Sequence, residues 1–268
     1  MREYGGFEHN LQSLRTVDRL EERYGAFDGL NLMFETREGI LKHCSERNAR
    51  LLGSLGQRFL DNRRPSLEAQ ICNLADEIAY NNHDVDDGLR SGLLNIEQLD
   101  EVALFARHAA RARAEFPGLD GRRVVHETVR RMIGALVTDL LATTRERIEK
   151  SGISTLDDAR VAPVLVGFSS AMAEENRQLK TFLHENLYRH YQVLRMTDKA
   201  RRVVRDLFHA FMADIRLLPP QYQKMAGAES DDPLIPDGRA RAVADYIAGM
   251  TDRYAIREHR RLFSVGEI

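Results

Sequence analysis

Residues 66–94 read SLEAQICNLADEIAYNNHDVDDGLRSGLL and carry the clearest structural signal in this chain of 268 residues. Apolar side chains recur there at steps of three and four, at Leu67, Ile71, Leu74 and Ile78. That spacing is typical of a helix face that packs into a core. Ser66, which follows Pro65, is a residue type that caps helix starts. The segment therefore predicts a long, partly buried helix that begins close to Leu67.

The same segment has a second, polar face. Asp76, Tyr80 and Asp84 stand four residues apart, and positions four apart lie above one another on a helix. A row with two carboxylates on an otherwise buried helix is unfavourable unless something compensates it. The face is therefore a candidate site for a metal ion, an arginine or a ligand rich in hydroxyl groups.

A less specific interpretation of this polarity stays open. Asn, Asp and His cluster between Asn81 and Gly88, and helix ends and turns favour these residue types. An ordinary solvated helix end explains that cluster about equally well. Asp76 fits this interpretation less well, because it lies inside the periodic apolar part, where a charge without a role is uncommon.

Composition indicates one sizeable core, or one domain with an appended lobe. The chain is 43% hydrophobic and 30% charged, and its net charge of −2 gives no overall field typical of a nucleic-acid-binding protein. Cys44 and Cys72 stand at no metal-binding spacing, and we expect free, buried thiols in a reducing compartment. No apolar run approaches the roughly 18 residues of a membrane span, so we expect a cytoplasmic protein.

The rest of the chain predicts an all-α fold, because helical segments follow one another beyond Leu94 without a convincing strand. Long helices are predicted over residues 96–116 and 121–150, and arginines line their outer faces. Such basic strips are typical of solvated helices with ion pairs. A nucleotide effector or a single-stranded nucleic acid, bound through its phosphates, is the alternative.

Five separate segments resemble one family. They are GGFEHNLQSLRTVDRLEERY from Gly5, GLNLMFETREGILKH from Gly29, LEAQICNLADEIAYNNHDVDDGLRSGLL from Leu67, NLYRHYQVLRM from Asn186 and VADYIAGMTDRYAIREHRRLF from Val243. In content and order the chain resembles the deoxyguanosinetriphosphate triphosphohydrolase-like family of the HD superfamily. The resemblance implies a multi-helix HD-superfamily phosphohydrolase domain that cleaves deoxynucleoside triphosphates to deoxynucleoside and tripolyphosphate.

The resemblance also implies a divalent metal site, for Mn²⁺ or Mg²⁺. Its ligands in the family are a His, an adjacent His-Asp pair and a later Asp, and Asp76 corresponds to the last of them. The first three precede the GGFEHN segment, which begins here at Gly5, so we expect an N-terminally truncated domain. Residues 1–95 would be the remainder of an HD-type catalytic core, and residues 96–268 a helical C-terminal part that packs on it and completes the nucleotide pocket.

Further site residues follow from the resemblance. His9 would face the triphosphate as an acid or charge stabiliser, although an ordinary helix-start histidine is an open alternative. Tyr80 would pack against C2′ of the sugar and Asp84 would accept its 3′-hydroxyl proton. Arg189 would contact phosphate and Tyr191 would form a platform for the sugar, with structural packing as the alternative for this tyrosine.

The sequence therefore leaves two functions open. The first is hydrolysis of a deoxynucleoside triphosphate by a homo-oligomer without a membrane partner, which is what the resemblance implies. The second is a non-catalytic helical protein that binds nucleotide or partner subunits, which the absence of the three other metal ligands favours.

Overall fold

The computed structural model describes residues 1–233 and 235–266, and these residues form an all-α protein. Helices account for 71% of the structure, and no strand occurs in the described part of the chain. The all-α prediction is thereby confirmed. None of the helices formed by these residues is long and apolar enough to cross a membrane.

Fourteen α-helices are present among the described residues. In chain order they are α1 (His9–Arg15), α2 (Phe34–Ile40), α3 (Glu46–Leu51), α4 (Ser54–Leu60), α5 (Leu67–Arg90), α6 (Ile96–Leu99), α7 (Ala103–Glu115), α8 (Gly121–Ser151), α9 (Leu156–Val161), α10 (Ser170–Leu183), α11 (Tyr191–Ala213), α12 (Pro220–Ala226), α13 (Gly238–Ala248) and α14 (Asp252–Phe263). Two π-helical segments follow α1 and α10 directly, at Thr16–Leu20 and His184–Tyr188.

The chain divides into two compact units. The central unit consists of residues 63–194, and the discontinuous unit of residues 1–62 together with 195–268. The boundary that the sequence predicts at residue 95 lies inside the central unit, between α5 and α6. The functional division into residues 1–95 and 96–268 stays a prediction.

The central unit is built around α5, which packs against α8 and α10. The helix starts where the sequence predicts, since Oγ of Ser66 accepts a hydrogen bond from the amide of Ala69 at 3.3 Å. Buried apolar side chains from α5, α7, α8 and α10 form one cluster, and its largest fully buried members are Phe105, Leu104, Met132, Leu136, Leu179 and Leu183. The predicted apolar face of α5 is confirmed at Leu67, Leu74 and Ile78, whereas Ile71 is 37% exposed.

The interpretation of the polar cluster in α5 as a solvated helix end is wrong for Asn81 and Asn82, whereas His83 and Asp87 are exposed. The helix continues to Arg90, and Asn81 and Asn82 are buried in its second half. The side-chain amide of Asn81 donates to Oδ1 of Asn176 at 3.3 Å, and that of Asn82 donates to the carbonyl of Ile78 at 2.7 Å. These asparagines therefore contribute buried hydrogen bonds rather than a turn.

One predicted helix is interrupted. Residues 96–116 form two helices, α6 and α7, and α6 is a single turn that begins with a capping box between Asn95 and Gln98. The expectation of buried cysteines is also wrong: both are free thiols, but Cys44 is half-buried and Cys72 is exposed.

The discontinuous unit has two smaller apolar clusters. One joins α11 to α13 through side chains such as Leu207, Phe211 and Val243, and the other joins α1, α2 and α4 through Leu14 and Leu55 with Leu41 after α2.

His108 of α7 makes the stability of the central unit sensitive to pH. Its side chain is 4% exposed, and its Nε2 has no hydrogen-bond partner in the described structure. Burial lowers the pKa of His108, and the positive charges of Arg107, Arg111 and Arg131 lower it further against the opposing effect of Glu175. The folded protein therefore prefers the neutral imidazole.

We predict that the free energy of unfolding falls as the pH drops below about 6.5, where a histidine of the unfolded chain takes up its proton. The slope should reach at most about 1.4 kcal/mol per pH unit from this residue. Denaturant unfolding between pH 7.5 and 5 should show a weaker pH dependence for His108→Gln. The exposed His184→Gln variant is the matched control and should keep the parental slope; equal slopes in all three proteins would contradict the prediction.

Candidate functional site

The polar face of α5 is present as the sequence predicts. Because α5 is continuous from Leu67 to Arg90, Asp76, Tyr80 and Asp84 lie on one side of it, each about 6 Å further along the axis. Exposure differs along the row: Asp76 is exposed, Tyr80 is 58% exposed and Asp84 is half-buried. The row therefore runs from solvent into the protein.

Tyr80 and Asp84 line an open groove in the central unit. Its volume is about 610 Å³, and its other lining residues are Asp87, Gly88, Arg90, Ser91, Leu93, Leu187, Tyr188 and Val193. Small-molecule sites typically span about 300–1,000 Å³. The groove is thus large enough for a nucleoside-sized ligand. Its lining combines two carboxylates, two phenols, an arginine and a serine with apolar side chains.

Gly88 is required at the floor of this groove for steric reasons. A Cβ atom at this position would lie 2.5 Å from Cδ1 and 2.8 Å from Cγ of Leu94. Leu94 is 4% exposed and belongs to the core cluster of the central unit. The glycine of the DVDDG segment therefore lets the chain after α5 pack closely against the helix.

Tyr188 completes the polar part of the groove. Its hydroxyl donates a hydrogen bond to Oδ2 of Asp84, and its ring centroid lies 6.2 Å from that of Tyr80 at an interplanar angle of 44°. Tyr188 is not among the site residues predicted from the sequence, which include Arg189 and Tyr191. All three stand in the NLYRHYQ segment, so the resemblance of this segment was a signal for Tyr188 as well.

The groove changes the proton affinity of its acidic groups. Burial raises the pKa of the Asp84 carboxyl, while the hydrogen bond from Tyr188 lowers it and the nearby charge of Asp87 raises it. Burial also raises the pKa of the Tyr188 phenol, and the hydrogen bond to Asp84 raises it further. Tyr188 is therefore a fixed donor near neutral pH.

Arg189 and Tyr191 lie beside the groove in sequence, but neither is among the described residues that line it. Arg189 is exposed, and the Tyr191 ring, 56% exposed, lies 4.7 Å from the ring of His190. Their proposed contacts with phosphate and sugar stay predictions.

The residues of this chain do not assemble a complete metal site. Nowhere in residues 1–233 and 235–266 do three His, Cys, Asp or Glu side chains come close enough together to hold a metal ion. Asp76 is one candidate ligand, and the described structure does not supply the His and His-Asp partners that the family resemblance implies.

His9 is the first residue of α1 in the discontinuous unit. Its side chain is 80% exposed, and Nδ1 lies 3.1 Å from Oε1 of Glu8. Glu8 caps α1, accepting hydrogen bonds from the amides of Asn10 at 3.1 Å and Leu11 at 2.9 Å. A role for His9 as an acid and a role as a helix-start residue are both compatible with this position.

A buried ionic cluster joins α1 to α13 within the discontinuous unit. Asp245, 1% exposed, accepts hydrogen bonds from Gln12 at 2.8 Å, from Arg15 at 3.0 and 3.2 Å and from Arg241 at 2.7 Å. Arg241 also donates to Oδ2 of Asp232 at 2.8 Å. Sequence analysis missed this cluster, although an aspartate inside the apolar stretch AVADYIA was a visible signal.

Part of the basic strip on α7 and α8 is occupied by ion pairs. Arg107 binds both carboxylate oxygens of Glu175, and Arg131 donates to Glu115 at 2.7 Å and to Glu127 at 2.9 Å. These contacts agree with the interpretation of solvated, ion-paired helices. An effector on the same faces stays a prediction.

Comparison with known proteins identifies close relatives along the whole chain. The chain is 64% identical over 268 residues to the deoxyguanosinetriphosphate triphosphohydrolase-like protein of Azoarcus sp. (strain BH72), of which it covers 68%. It is 62% identical to the proteins of the same name from Ralstonia pickettii (strain 12J) and Thiobacillus denitrificans (strain ATCC 25259 / T1), covering 67% and 69% of them. In both comparisons the whole chain is covered. Residues 166–261 also match the family described as the phosphohydrolase-associated domain. Together these matches confirm the resemblance that the five segments indicated.

We predict that Asp245→Ala destabilises the discontinuous unit by about 3–5 kcal/mol, because it leaves the buried Arg15 and Arg241 without their shared carboxylate. Asp198→Ala is the control, since Asp198 forms an exposed i,i+4 pair with Arg202, and such pairs contribute little. Urea unfolding followed by circular dichroism measures both variants. A loss for Asp245→Ala no larger than that of the control would show that the cluster does not hold α1 and α13 together.

Proposed function

The chain belongs to the deoxyguanosinetriphosphate triphosphohydrolase-like family of hydrolases, and we propose that it binds a 2′-deoxynucleoside triphosphate through the groove of Tyr80 and Asp84. In the enzyme reaction that the family name describes, this nucleotide would be hydrolysed to deoxynucleoside and tripolyphosphate. The observation that carries the proposal is the groove itself, which is lined by Tyr80, Asp84 and Tyr188, with Tyr188 hydrogen-bonded to Asp84.

The groove residues suit a deoxyribose. Ionised Asp84 has lone pairs available for the 3′-hydroxyl proton, and its half-buried position strengthens such a hydrogen bond. The Tyr80 ring is 58% exposed and provides an apolar surface for C2′. A 2′-hydroxyl pressed against that ring would lose its water without gaining a partner, which disfavours ribose.

The remaining residues have proposed roles that rest on the family resemblance. Asp76 would be a ligand of a divalent ion, Mn²⁺ or Mg²⁺, and would require further ligands besides the described residues. Arg189 would contact phosphate and Tyr191 would support the sugar. His9 would act as an acid or charge stabiliser, and homo-oligomerisation is proposed on the same basis.

A second candidate function follows from the metal-ligand set. Since the described residues provide no group of three ligands, a non-catalytic nucleotide-binding or oligomerisation protein is the alternative. Such a protein would bind the nucleotide in the same groove but would not hydrolyse it.

One experiment separates the two functions. The full chain is incubated with dGTP and Mn²⁺, tripolyphosphate and deoxyguanosine are quantified, and dGTP binding is measured in parallel by calorimetry. Release of both products that disappears in Asp76→Ala would support the enzyme and the role of Asp76. Binding without release supports the non-catalytic alternative, and the lack of both would overturn the proposed use of the groove.

We predict that Asp84→Asn weakens dGTP binding by about 5- to 150-fold, because a buried hydrogen bond to a charged group contributes roughly 1–3 kcal/mol. Asp87→Asn removes a carboxylate from the same groove without touching the proposed sugar contact, and should have a much smaller effect. Calorimetric titration of each variant measures the change, and equal losses in both would contradict a specific role for Asp84.

Tyr80→Ala should reduce the preference for dGTP over GTP, since it removes the surface that crowds a 2′-hydroxyl. The two nucleotides are titrated against the same preparations of parent and variant. An unchanged ratio of the two dissociation constants in Tyr80→Ala would contradict the assignment of this side chain to sugar discrimination.

A further inference from the structure

We propose that Tyr188 is a positioning residue for sugar recognition, which holds one oxygen of Asp84 so that the other faces the 3′-hydroxyl of the ligand. The inference rests on the proposed function and adds a specificity-determining side chain to it. It concerns ligands of one chemical class, 2′-deoxynucleosides and their phosphates that carry a free 3′-hydroxyl.

The two oxygens of the Asp84 carboxylate have different surroundings. Oδ2 accepts the hydroxyl of Tyr188, and among the described residues no hydrogen bond to Oδ1 accompanies it. A carboxylate that is free to rotate can meet a ligand hydroxyl in many orientations. Fixing one oxygen leaves one direction for the other, which lowers the entropy lost on binding.

Tyr188 itself is held by packing against the core. It is the last residue of the π-helical segment His184–Tyr188 and packs against the core cluster of the central unit. Leu187 beside it is 7% exposed and anchors the segment in that core. A π-helical turn changes the direction of the side chains that follow it and is common at functional sites. The turn therefore aims Tyr188 at α5 from a fixed position.

The surroundings of Asp84 and Tyr188 determine which of the two carries the proton. The groups that face Asp84 are Tyr188 and, on α5, Asp87 and His83, with Tyr80 next to Tyr188. The raised pKa of Tyr188 keeps its hydroxyl a donor, so Asp84 remains the acceptor. Towards a ligand hydroxyl, Asp84 can then act only as a hydrogen-bond acceptor, so the direction of this hydrogen bond is fixed.

The test uses the full chain and the variant Tyr188→Phe, which keeps the ring and removes the hydroxyl. Tyr246→Phe is the matched control, because it also removes a partly buried hydroxyl, the one that lies 3.3 Å from the hydroxyl of Tyr254. Binding of 2′-deoxyguanosine and of 2′,3′-dideoxyguanosine is followed by NMR titration. Neither probe needs a metal ion or a triphosphate.

We expect Tyr188→Phe to weaken 2′-deoxyguanosine binding by about tenfold and to leave 2′,3′-dideoxyguanosine binding unchanged. In an Asp84→Asn background, the same change should have no effect on the ratio of the two affinities. Loss of affinity for both nucleosides alike would indicate altered packing and overturn the positioning role. An unchanged ratio in Tyr188→Phe would overturn it as well.

A second readout is independent of any ligand. The Asp84 carboxyl is titrated by ¹³C NMR, and its pKa should be higher in Tyr188→Phe because the carboxylate loses a hydrogen-bond donor. An unchanged pKa of Asp84 would overturn the inference even if nucleosides bind. If the parent protein binds dGTP but neither nucleoside, the positioning role in sugar recognition fails while the proposed function stands. If it binds none of the three, the proposed function fails, and the titration still reports whether Tyr188 holds Asp84.

Discussion

Burial of one face of α5 determines where the residues of the candidate site lie. Ile78 and Val85 are 3% and 0% exposed in the core of the central unit, and their burial sets the rotation of the whole helix. Because side chains at i and i+4 share a face, the opposite row of Asp76, Tyr80 and Asp84 has only one possible direction. The groove lies where Tyr80 and Asp84 of this row meet Tyr188, the last residue of the π-helical segment that follows α10.

Sequence periodicity predicts this part of the structure well. The start of α5, its apolar face and its polar row follow from spacing and capping alone, and these local rules are not overridden by packing. The groove is different, since Tyr188 is 104 residues away from Asp84 along the chain. No pattern in a single sequence pairs two such residues, and the π-helical turn that aims Tyr188 has no simple sequence signal. The family resemblance drew attention to the NLYRHYQ segment, and within it Tyr188 is the tyrosine that lines the groove.

The buried ionic cluster around Asp245 shows a similar limit. Charged residues are predicted at the surface, yet Asp245 and Arg241 are 1% and 5% exposed. Their partners on α1 are more than 200 residues away in sequence, so their compensation becomes visible only in the folded chain. The cluster fixes α1, which carries His9, to α13. It therefore joins the segment that begins at Gly5 to the segment that begins at Val243 within one unit.

Recognition of deoxyribose by the groove of Tyr80, Asp84 and Tyr188 is tested most directly by a crystal structure of the full chain with 2′-deoxyguanosine. The account predicts the sugar in this groove, with its 3′-hydroxyl about 2.7 Å from Asp84, at the usual distance of an O–H···O hydrogen bond. A nucleoside bound elsewhere, or a sugar in the groove whose 3′-hydroxyl points away from Asp84, would contradict it.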